Sequence, residues 1–213
     1  MADRDQRPDR TLAEHWDSTY AQGDSTRSWF EPEPTMSVRM LDQAGLRSQM
    51  SVIDVGGGTS RLVDVLLDRG HRDVVVLDVS ETALAAARQR LGSGADHVTW
   101  VHADVQSWPP PRRLDVWHDR AVLHFLTTPA DQSAYLATLR AATHPGSIAA
   151  IGCFAPDGPL QCSGLPVVRY SAEELDDLLG DDWSLTASER ELHATPTEQT
   201  QAFTWATFVR LSA

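Results

Sequence analysis

Three consecutive glycines directly follow an apolar segment, a pattern typical of a loop that binds a nucleotide-like ligand. The apolar segment is Val52-Ile53-Asp54-Val55, and it runs into Gly56-Gly57-Gly58. Because glycine has no Cβ atom, the chain can turn sharply and bring backbone N–H groups close to a polar ligand at the start of the next helix. A dinucleotide loop has a third glycine in the pattern G-x-G-x-x-G, but Thr59-Ser60-Arg61 follows here. The sequence therefore argues against a pyrophosphate ligand.

Two further apolar segments end in an acidic residue. Val74-Val75-Val76-Leu77 leads into Asp78, and Val98-Thr99-Trp100-Val101 is followed after two residues by Asp104. A carboxylate accepts two hydrogen bonds, which suits a ribose diol, and ligands bind at the carboxyl ends of parallel strands in open α/β sheets. Each aspartate could instead be only the N-cap of a helix. The recurrence in three successive strand–helix units, beginning with Asp54, favours the ligand role.

This arrangement resembles the class I S-adenosylmethionine-dependent methyltransferases, over roughly residues 12–210. The resemblance implies that S-adenosylmethionine is the cofactor and assigns to it Asp54, Gly56, Gly57, Gly58, Asp78, Val79, Asp104 and Val105. In that family the residue matching Asp78 accepts both ribose hydroxyls. The residue matching Asp104 accepts the adenine amino group, and the backbone N–H of the next residue, here Val105, contacts the ring. The resemblance is specific for the cofactor and less so for the acceptor.

The fourth predicted strand carries the candidates for acceptor chemistry, which are His118, Asp119 and His124. The sulfonium already activates the methyl group, so the protein must mainly align the acceptor, and a base helps only an acceptor that must first lose a proton. The pair Asp119-Arg120 is similar to the Asp-Arg-Gly or Asp-Lys-Gly of elongation-factor lysine methyltransferases and of bacterial small-molecule enzymes. A structural role remains open, in which Asp119 caps a turn and His124 is a buried, hydrogen-bonded residue.

Two other regions contribute candidate site residues. The proline- and glycine-rich loop from Ala155 to Tyr170 follows the fifth strand, and its Cys162 and Arg169 are candidates for substrate contact. The alternative is that the loop packs over the core with Arg169 ion-paired outside. Near the N-terminus, Tyr20 and Trp29 are candidates for the cofactor side, because aromatic rings can enclose a sulfonium or an adenine. The alternative for these aromatics is a hydrophobic plug between the N-terminal helices and the domain.

The elements that must position these residues alternate regularly between short strands and helices from residue 51 onward. This alternation predicts an α/β, Rossmann-like sheet of parallel strands with helices on both faces. The resemblance implies seven strands, mostly parallel, with a C-terminal antiparallel hairpin at about 182–191 and 201–210. We predict three parts: a disordered tail at 1–10, an N-terminal helical lid at 11–50, and a methyltransferase domain at 51–213.

Composition limits the partners of this 213-residue chain. It has 18 Lys plus Arg against 30 Asp plus Glu, a net charge of −12, so it would repel a phosphate backbone, and no nucleic-acid partner is expected. No apolar run is long enough to cross a bilayer, and the charged start has no hydrophobic signal region, so we expect a cytoplasmic protein that does not bind membranes. Cys153 and Cys162 lack metal-ligand spacing, so reduced thiols and no metal site are expected.

Three classes of function remain to be weighed. The first is a methyltransferase whose acceptor is a small molecule or, as the alternative, a protein lysine. The long loop after the fifth strand favours the small molecule because it can close a pocket, whereas the acidic surface would suit a lysine. The second is a non-catalytic module that binds the cofactor, which the intact set of acidic and glycine residues disfavours. The third is an oxidoreductase that uses NAD, which the missing third glycine disfavours.

Overall fold

The computed structural model describes residues 11–21 and 27–212. The expected disordered tail at 1–10 lies outside the described residues. The strands are β1 (Val52–Val55), β2 (Val74–Asp78), β3 (Val98–His102), β4 (Leu114–Arg120), β5 (Thr143–Phe154), β6 (Gln161–Cys162), β7 (Leu165–Pro166), β8 (Trp183–Ala194) and β9 (Thr200–Arg210). The α-helices are α1 (Leu12–Tyr20), α2 (Thr35–Gln43), α3 (Leu62–Asp68), α4 (Glu81–Leu91), α5 (Pro129–Ala142) and α6 (Ala172–Leu179). Short 3-10 helices cover Gly92–His97 and Leu123–Phe125.

A seven-stranded sheet in the order β3-β2-β1-β4-β5-β9-β8 organises the molecule. The strands β1 to β5 pair in parallel, whereas β9 pairs antiparallel with β5 and β8 pairs antiparallel with β9. Every residue of β1 and β2 is buried, as expected for parallel strands covered on both faces. The structure confirms the predicted Rossmann-like sheet, mostly parallel and with a C-terminal antiparallel hairpin.

The hydrophobic core has one layer on each face of the sheet. Alternate side chains of β1 point into one layer or the other. Ile53 and Val55 pack with residues of α5 and α6, whereas Val52 packs on the other face with residues of α2, α3 and α4. Successive side chains of a strand point to opposite faces, so short apolar runs supply both layers. The two layers fix the carboxyl ends of β1, β2 and β4 at one edge.

The N-terminal helices cover that edge through polar and apolar contacts. Asp17 of α1 accepts hydrogen bonds from Ser80 Oγ at 2.6 Å and from Thr82 N at 3.1 Å, which ties α1 to the start of α4. Met36 and Met40 of α2 pack in a cluster of buried residues that includes Phe154, Phe203 and Trp205. The helices α1 and α2 therefore lie over the part of the sheet where the strand-end aspartates are.

Side-chain hydroxyls cap the starts of α4, α5 and α6, as Thr11 does at the start of α1. Ser80 Oγ accepts from Ala83 N at 3.1 Å, Thr128 Oγ1 accepts from Asp131 N at 3.2 Å, and Ser171 forms a capping box at the start of α6. The expected loop from Ala155 to Tyr170 contains the short hairpin β6–β7, which the sequence did not indicate. Both cysteines are free thiols. Within the described residues, no helix combines the length and apolar character needed to cross a membrane.

Tyr135 links α5 to β4 in the core, and its removal tests that link. Its hydroxyl donates to Asp119 Oδ2 at 2.7 Å and accepts from Trp117 Nε1 at 2.9 Å, and all three residues are buried. We expect Tyr135→Phe to lower the free energy of unfolding by about 1–3 kcal/mol, because it leaves buried polar groups unpaired. Denaturant unfolding measures the change. Tyr170→Phe is the control, since its hydroxyl only accepts from Gln132 Nε2 at 3.1 Å; equal losses in the two variants would contradict this account.

Candidate active site

Two neighbouring cavities open at the carboxyl edge of β1, β2 and β4. They enclose about 750 and 560 Å³, including open solvent at their mouths. Both are lined by Tyr20, Trp29, Gly56 and Arg120, so the two cavities meet at these residues. A cleft that combines apolar walls with a few convergent polar groups is the usual form of a site for a small molecule or cofactor.

The glycine turn between β1 and α3 forms the floor where the cavities meet. Gly56 and Gly58 have φ angles of +64° and +46°, in the left-handed region that favours glycine. Gly56 N donates to Leu77 O at 2.7 Å. A Cβ atom at Gly58 would lie 2.5 Å from Tyr20 Oη and 3.0 Å from Asp78 Oδ2. The absence of a side chain therefore lets Tyr20 and Asp78 approach the turn.

Replacing Gly56 tests the turn, and Gly70 offers a matched control. A Cβ atom on Gly56 would overlap Cγ2 of Val122, whereas one on Gly70, at φ +87°, would meet nothing within 4 Å. Both alanine variants incur the cost of a left-handed residue, about 1–2 kcal/mol. We expect Gly56→Ala to be the more destabilised and to lose ligand affinity, because Val122 must move, whereas Gly70→Ala keeps its affinity. Denaturant unfolding and calorimetric titration measure both, and equal affinities in the two variants would contradict the expectation.

The carboxylates at the ends of β2 and β3 lie along the first cavity. Asp78 is buried, and its Oδ1 accepts from Ser80 N at 2.8 Å. Burial, with a contribution from the charge of Asp54, raises the pKa of Asp78 to about 7. Asp104 Oδ1 accepts from Gln106 N at 2.9 Å. Asp78 and Asp104 line the cavity together with Val79 and Val105, as the sequence predicted for neighbouring strand ends.

The second cavity contains a buried histidine–carboxylate pair. His118 Nδ1 lies 2.7 Å from Asp54 Oδ1, and both side chains are almost completely buried. Among the described residues, Asp54 Oδ2 and His118 Nε2 have no hydrogen-bond partner. Arg27 lines the same cavity, with its guanidinium 4.6 Å from the centre of the Tyr20 ring. A carboxylate and a guanidinium in one cavity complement the ammonium and carboxylate of an amino acid.

One part of the first cavity is largely aromatic. The ring centres of Trp16 and Phe125 are 5.0 Å apart, and those of Trp16 and Trp29 are 5.7 Å apart. Cys162 lines this end, and burial raises the pKa of its thiol to about 11, so the thiol is neutral at physiological pH. Arg120 supplies the cation there. We call Trp16, Trp29, Arg120, Phe125 and Cys162 the aromatic end of the cavity.

Arg120 also holds the segment before α2 in place. Its Nη1 donates to Trp29 O at 2.8 Å, and its Nη2 lies 3.0 Å from Glu31 Oε1. His193 Nδ1 of β8 lies 3.3 Å from the same Glu31 oxygen, and His193 Nε2 donates to Ser28 O at 2.7 Å. These contacts fasten residues 28–31 to β4 and β8, which closes the aromatic end on one side.

Residues 52–146 match the family model described as a methyltransferase domain. This range therefore forms an S-adenosylmethionine-dependent methyltransferase domain. The protein is a methyl-transfer enzyme, and S-adenosylmethionine is its cofactor. The matched range contains the glycine turn, Asp78 and Asp104, so the family match covers the residues that the sequence assigned to the cofactor.

One curated relative and two solved structures illustrate the range of similar proteins. The eEF1A lysine and N-terminal methyltransferase of Mus musculus is 22% identical over 142 residues, which are 66% of this chain and only 20% of the mouse protein. The 1,6-didemethyltoxoflavin-N1-methyltransferase of Burkholderia thailandensis is 23% identical with a TM-score of 0.73, over 99% of this chain and 94% of that one. A structure described for the conversion of a disulfide bond into a thioacetal group during echinomycin biosynthesis is 24% identical, with a TM-score of 0.74, over 94% and 93%. These two structures share the fold of the methyltransferase.

Two of the predicted catalytic residues lie behind the cavity walls of the methyltransferase. Asp119 Oδ1 accepts from Val122 N at 2.8 Å and Oδ2 accepts from Leu123 N at 3.1 Å, so Asp119 caps the turn after β4. His124 is fully buried, and its Nδ1 accepts from Phe154 N at 3.4 Å. Burial, together with the charge of Arg120, lowers the pKa of His124 to about 3. The geometry favours structural roles for both residues, and a rate that follows an ordinary imidazole at pH 6–7 is not expected from His124.

The other predicted residues divide between the cavities and the surface. His118 lines the second cavity and Cys162 the first, whereas Arg169 lines neither and donates to Gly158 O at 3.4 Å. The residues that sequence reasoning did not assign to the methyltransferase site are Trp16, Arg27, Arg120 and Phe125. Trp16 shares a helix face with Tyr20, and Arg120 adjoins Asp119, so the signals for these two residues were present in the sequence.

Proposed function

We propose that this methyltransferase transfers the methyl group of S-adenosylmethionine to a small-molecule acceptor bound in the aromatic end of the first cavity. The supporting observation is that three segments of the chain form walls around this part of the cavity. α1 forms one wall through Trp16, the β6–β7 hairpin forms another through Cys162, and residues 28–31 are tied down by Arg120. A largely apolar cavity with walls on these sides suits a small acceptor, whereas a protein side chain needs an open groove.

We propose one orientation for the cofactor in the two cavities. We place the ribose at Asp78 with the neighbouring Val79, the adenine at Asp104 and Val105, and the amino-acid tail at Asp54 and Arg27. This proposal puts the sulfonium at Gly56, where the two cavities meet. The methyl group then faces the aromatic end.

The residues around the sulfonium provide alignment and exclude water. Tyr20, Trp16 and Trp29 favour a cation by interaction with their rings, and enclosure prevents hydrolysis and strengthens electrostatic interactions. Burial raises the pKa of Tyr20 far above its usual range, so its hydroxyl keeps its proton. We assign Asp119 a positioning role, since it fixes the turn that carries Val122 against Gly56. We assign His118 a positioning role through Asp54, and residues 11–50 the role of a lid.

A protein lysine is the second candidate acceptor. The similarity to the mouse lysine and N-terminal methyltransferase favours it, although that match spans a fifth of the mouse protein. A lysine ammonium would need a carboxylate beside the methyl group to hold and deprotonate it. In this chain Arg120, rather than a carboxylate, lies at the aromatic end of the cavity. We place the carboxylates of Asp78 and Asp104 beside the ribose and the adenine of the cofactor. These charges favour the small molecule.

The experiment incubates the enzyme and methyl-labelled S-adenosylmethionine with an extract that contains both proteins and metabolites, then separates the products by size. We expect the label in the small-molecule fraction, and no label with Asp78→Ala at a limiting cofactor concentration. Label confined to the protein fraction would refute the proposal and support the lysine alternative.

A further inference from the structure

We propose that Glu31, Glu191 and His193 form a site for one zinc ion, which joins the segment before α2 to β8. Each of the three side chains offers a ligand atom, and these atoms lie within 4.8 Å of one another. The site is independent of the identity of the acceptor. It departs from the expectation of no metal site, which considered the two cysteines alone.

The three residues come from two segments that the fold brings together. Glu31 lies in the segment before α2, whereas Glu191 and His193 are two residues apart on β8. Alternate residues of a strand point to the same face, so Glu191 and His193 present their side chains together to Glu31. The side chains of Glu31 and His193 are only 13% and 4% exposed. The cluster is therefore unlike the exposed acidic groups of a protein surface.

Hydrogen bonds from outside the cluster orient the candidate ligands. A carbonyl oxygen only accepts, so His193 Nε2 donates to Ser28 O at 2.7 Å, which leaves Nδ1 to face Glu31 Oε1 at 3.3 Å. Glu191 Oε2 accepts from Trp205 Nε1 at 2.7 Å. A histidine that binds a metal almost always donates its other N–H to a carbonyl or carboxylate, and carboxylate ligands are hydrogen-bonded in turn. The cluster has this second layer of contacts already in place.

The groups that face one another in the cluster are all acceptors when His193 is neutral. Nδ1 of the neutral imidazole carries a lone pair, because the hydrogen is on Nε2. The carboxyl groups of Glu31 and Glu191 also interact with each other. Two carboxylates in contact repel unless a cation or a proton lies between them. A divalent cation at the centre satisfies all three groups at once.

Arg120 is the charged neighbour of the cluster, and its position is compatible with an ion. Its Nη2 lies 3.0 Å from Glu31 Oε1, and its Nη1 donates to Trp29 O at 2.8 Å. A carboxylate has two oxygens, so Glu31 can pair with Arg120 through one and bind the ion through the other. Two carboxylates offset the charge of a divalent ion, so the occupied site adds no net charge beside the guanidinium.

The ligand types suit zinc, and their position suits a structural role. Zinc binds imidazole and carboxylate at about 2.0–2.2 Å in a tetrahedron, in which water can take the fourth position. Ligand atoms on such an ion are about 3.4 Å apart, so the side chains need to draw together by no more than about 1.4 Å. Glu191 and His193 line neither of the two cavities. The ion therefore holds the segment that carries Trp29 and takes no part in methyl transfer.

Calorimetric titration with zinc chloride tests the site on the full, untagged chain after a chelator has removed bound metal. We expect one ion per chain, with affinity lowered at least about tenfold in Glu191→Gln and in His193→Gln. His144→Gln is the control, because His144 is another imidazole beside a carboxylate, 3.1 Å from Asp115 Oδ1, and its loss should leave the affinity unchanged. Failure of the unchanged protein to bind zinc would overturn the proposal. So would equal affinities in the His193→Gln and His144→Gln variants.

Two further measurements keep the test decisive if one variant is unstable. Cobalt in place of zinc gives the intense visible absorption of a tetrahedral site, which we expect in the unchanged protein and in His144→Gln but not in Glu191→Gln. Zinc should also raise the denaturant midpoint of the unchanged protein but not that of Glu191→Gln, because an ion that binds only the folded chain stabilises it. An unchanged midpoint of the intact protein in excess zinc would contradict the site, as would cobalt absorption that persists in Glu191→Gln.

Discussion

Asp78→Ala is expected to weaken the binding of S-adenosylhomocysteine by about 1–3 kcal/mol, roughly tenfold to a hundredfold, because the ribose hydroxyls lose their acceptor. Calorimetric titration measures the loss. Asp115→Ala is the control: Asp115 lies at the opposite end of the sheet, where its Oδ2 accepts from Ser51 N at 2.8 Å. Its removal is expected to reduce stability and leave affinity unchanged. An Asp78→Ala protein that is folded and binds normally would contradict the placement of the ribose.

The same carboxylate predicts that cofactor binding depends on pH. Burial raises the pKa of Asp78 to about 7, so below that pH the carboxyl of the free protein is protonated. The ionised form accepts the two hydroxyl hydrogens, so affinity is expected to rise with pH up to about 7, by at most about tenfold per pH unit, and then to level off. Asp78→Asn should abolish this dependence. A flat profile in the unchanged enzyme would show that the ionisation of Asp78 is not coupled to binding.

The second large effect concerns the buried pair of Asp54 and His118. Removing either partner leaves the other buried without its hydrogen bond, so Asp54→Ala and His118→Ala are each expected to lower the free energy of unfolding by about 3 kcal/mol. The double variant should lose less than the sum, since the pair is removed once. Denaturant unfolding of the four proteins gives the coupling energy.

A half-exposed pair of the same residue types is the control for this cycle. His144 Nε2 lies 3.1 Å from Asp115 Oδ1, with both side chains more than a third exposed. Its coupling energy is expected to stay below about 1 kcal/mol because solvent screens the interaction. If both cycles gave the same coupling energy, burial would not strengthen the interaction of Asp54 with His118, and the account of this pair would be contradicted.

The strand ends were predictable because a strong local pattern determines them. Apolar segments that end in Asp54, Asp78 and Asp104 give parallel strands, and parallel strands place their carboxyl ends at one edge. Asp119 ends a fourth apolar strand in the same way, yet it faces inward. Ala121 has a φ angle of +71°, and this turn directs the Asp119 carboxylate to the N–H groups of the next two residues. That geometry is set by packing around the turn and leaves no periodic signal.

The aromatic end depends on contacts between residues that are far apart in the sequence. Ser80 donates a hydrogen bond to Asp17 of α1, 63 residues away in the sequence. Arg120 donates one to the backbone of Trp29, 91 residues away. Spacing along the chain shows that Trp16 and Tyr20 share a helix face, but it does not show what that face covers. Sequence reasoning therefore predicted the strand-end residues that line the first cavity more completely than the residues of its aromatic end.

A crystal structure of the complex with S-adenosylhomocysteine tests the account most directly, because it locates the sulfur atom. The account predicts the ribose hydroxyls within about 2.7–3.2 Å of the Asp78 carboxylate and the sulfur at the junction of the two cavities, next to Gly56 and facing Trp16, Phe125 and Arg120. A sulfur atom directed away from that aromatic end, with the adenine or the amino-acid tail filling it, would contradict the proposed acceptor site.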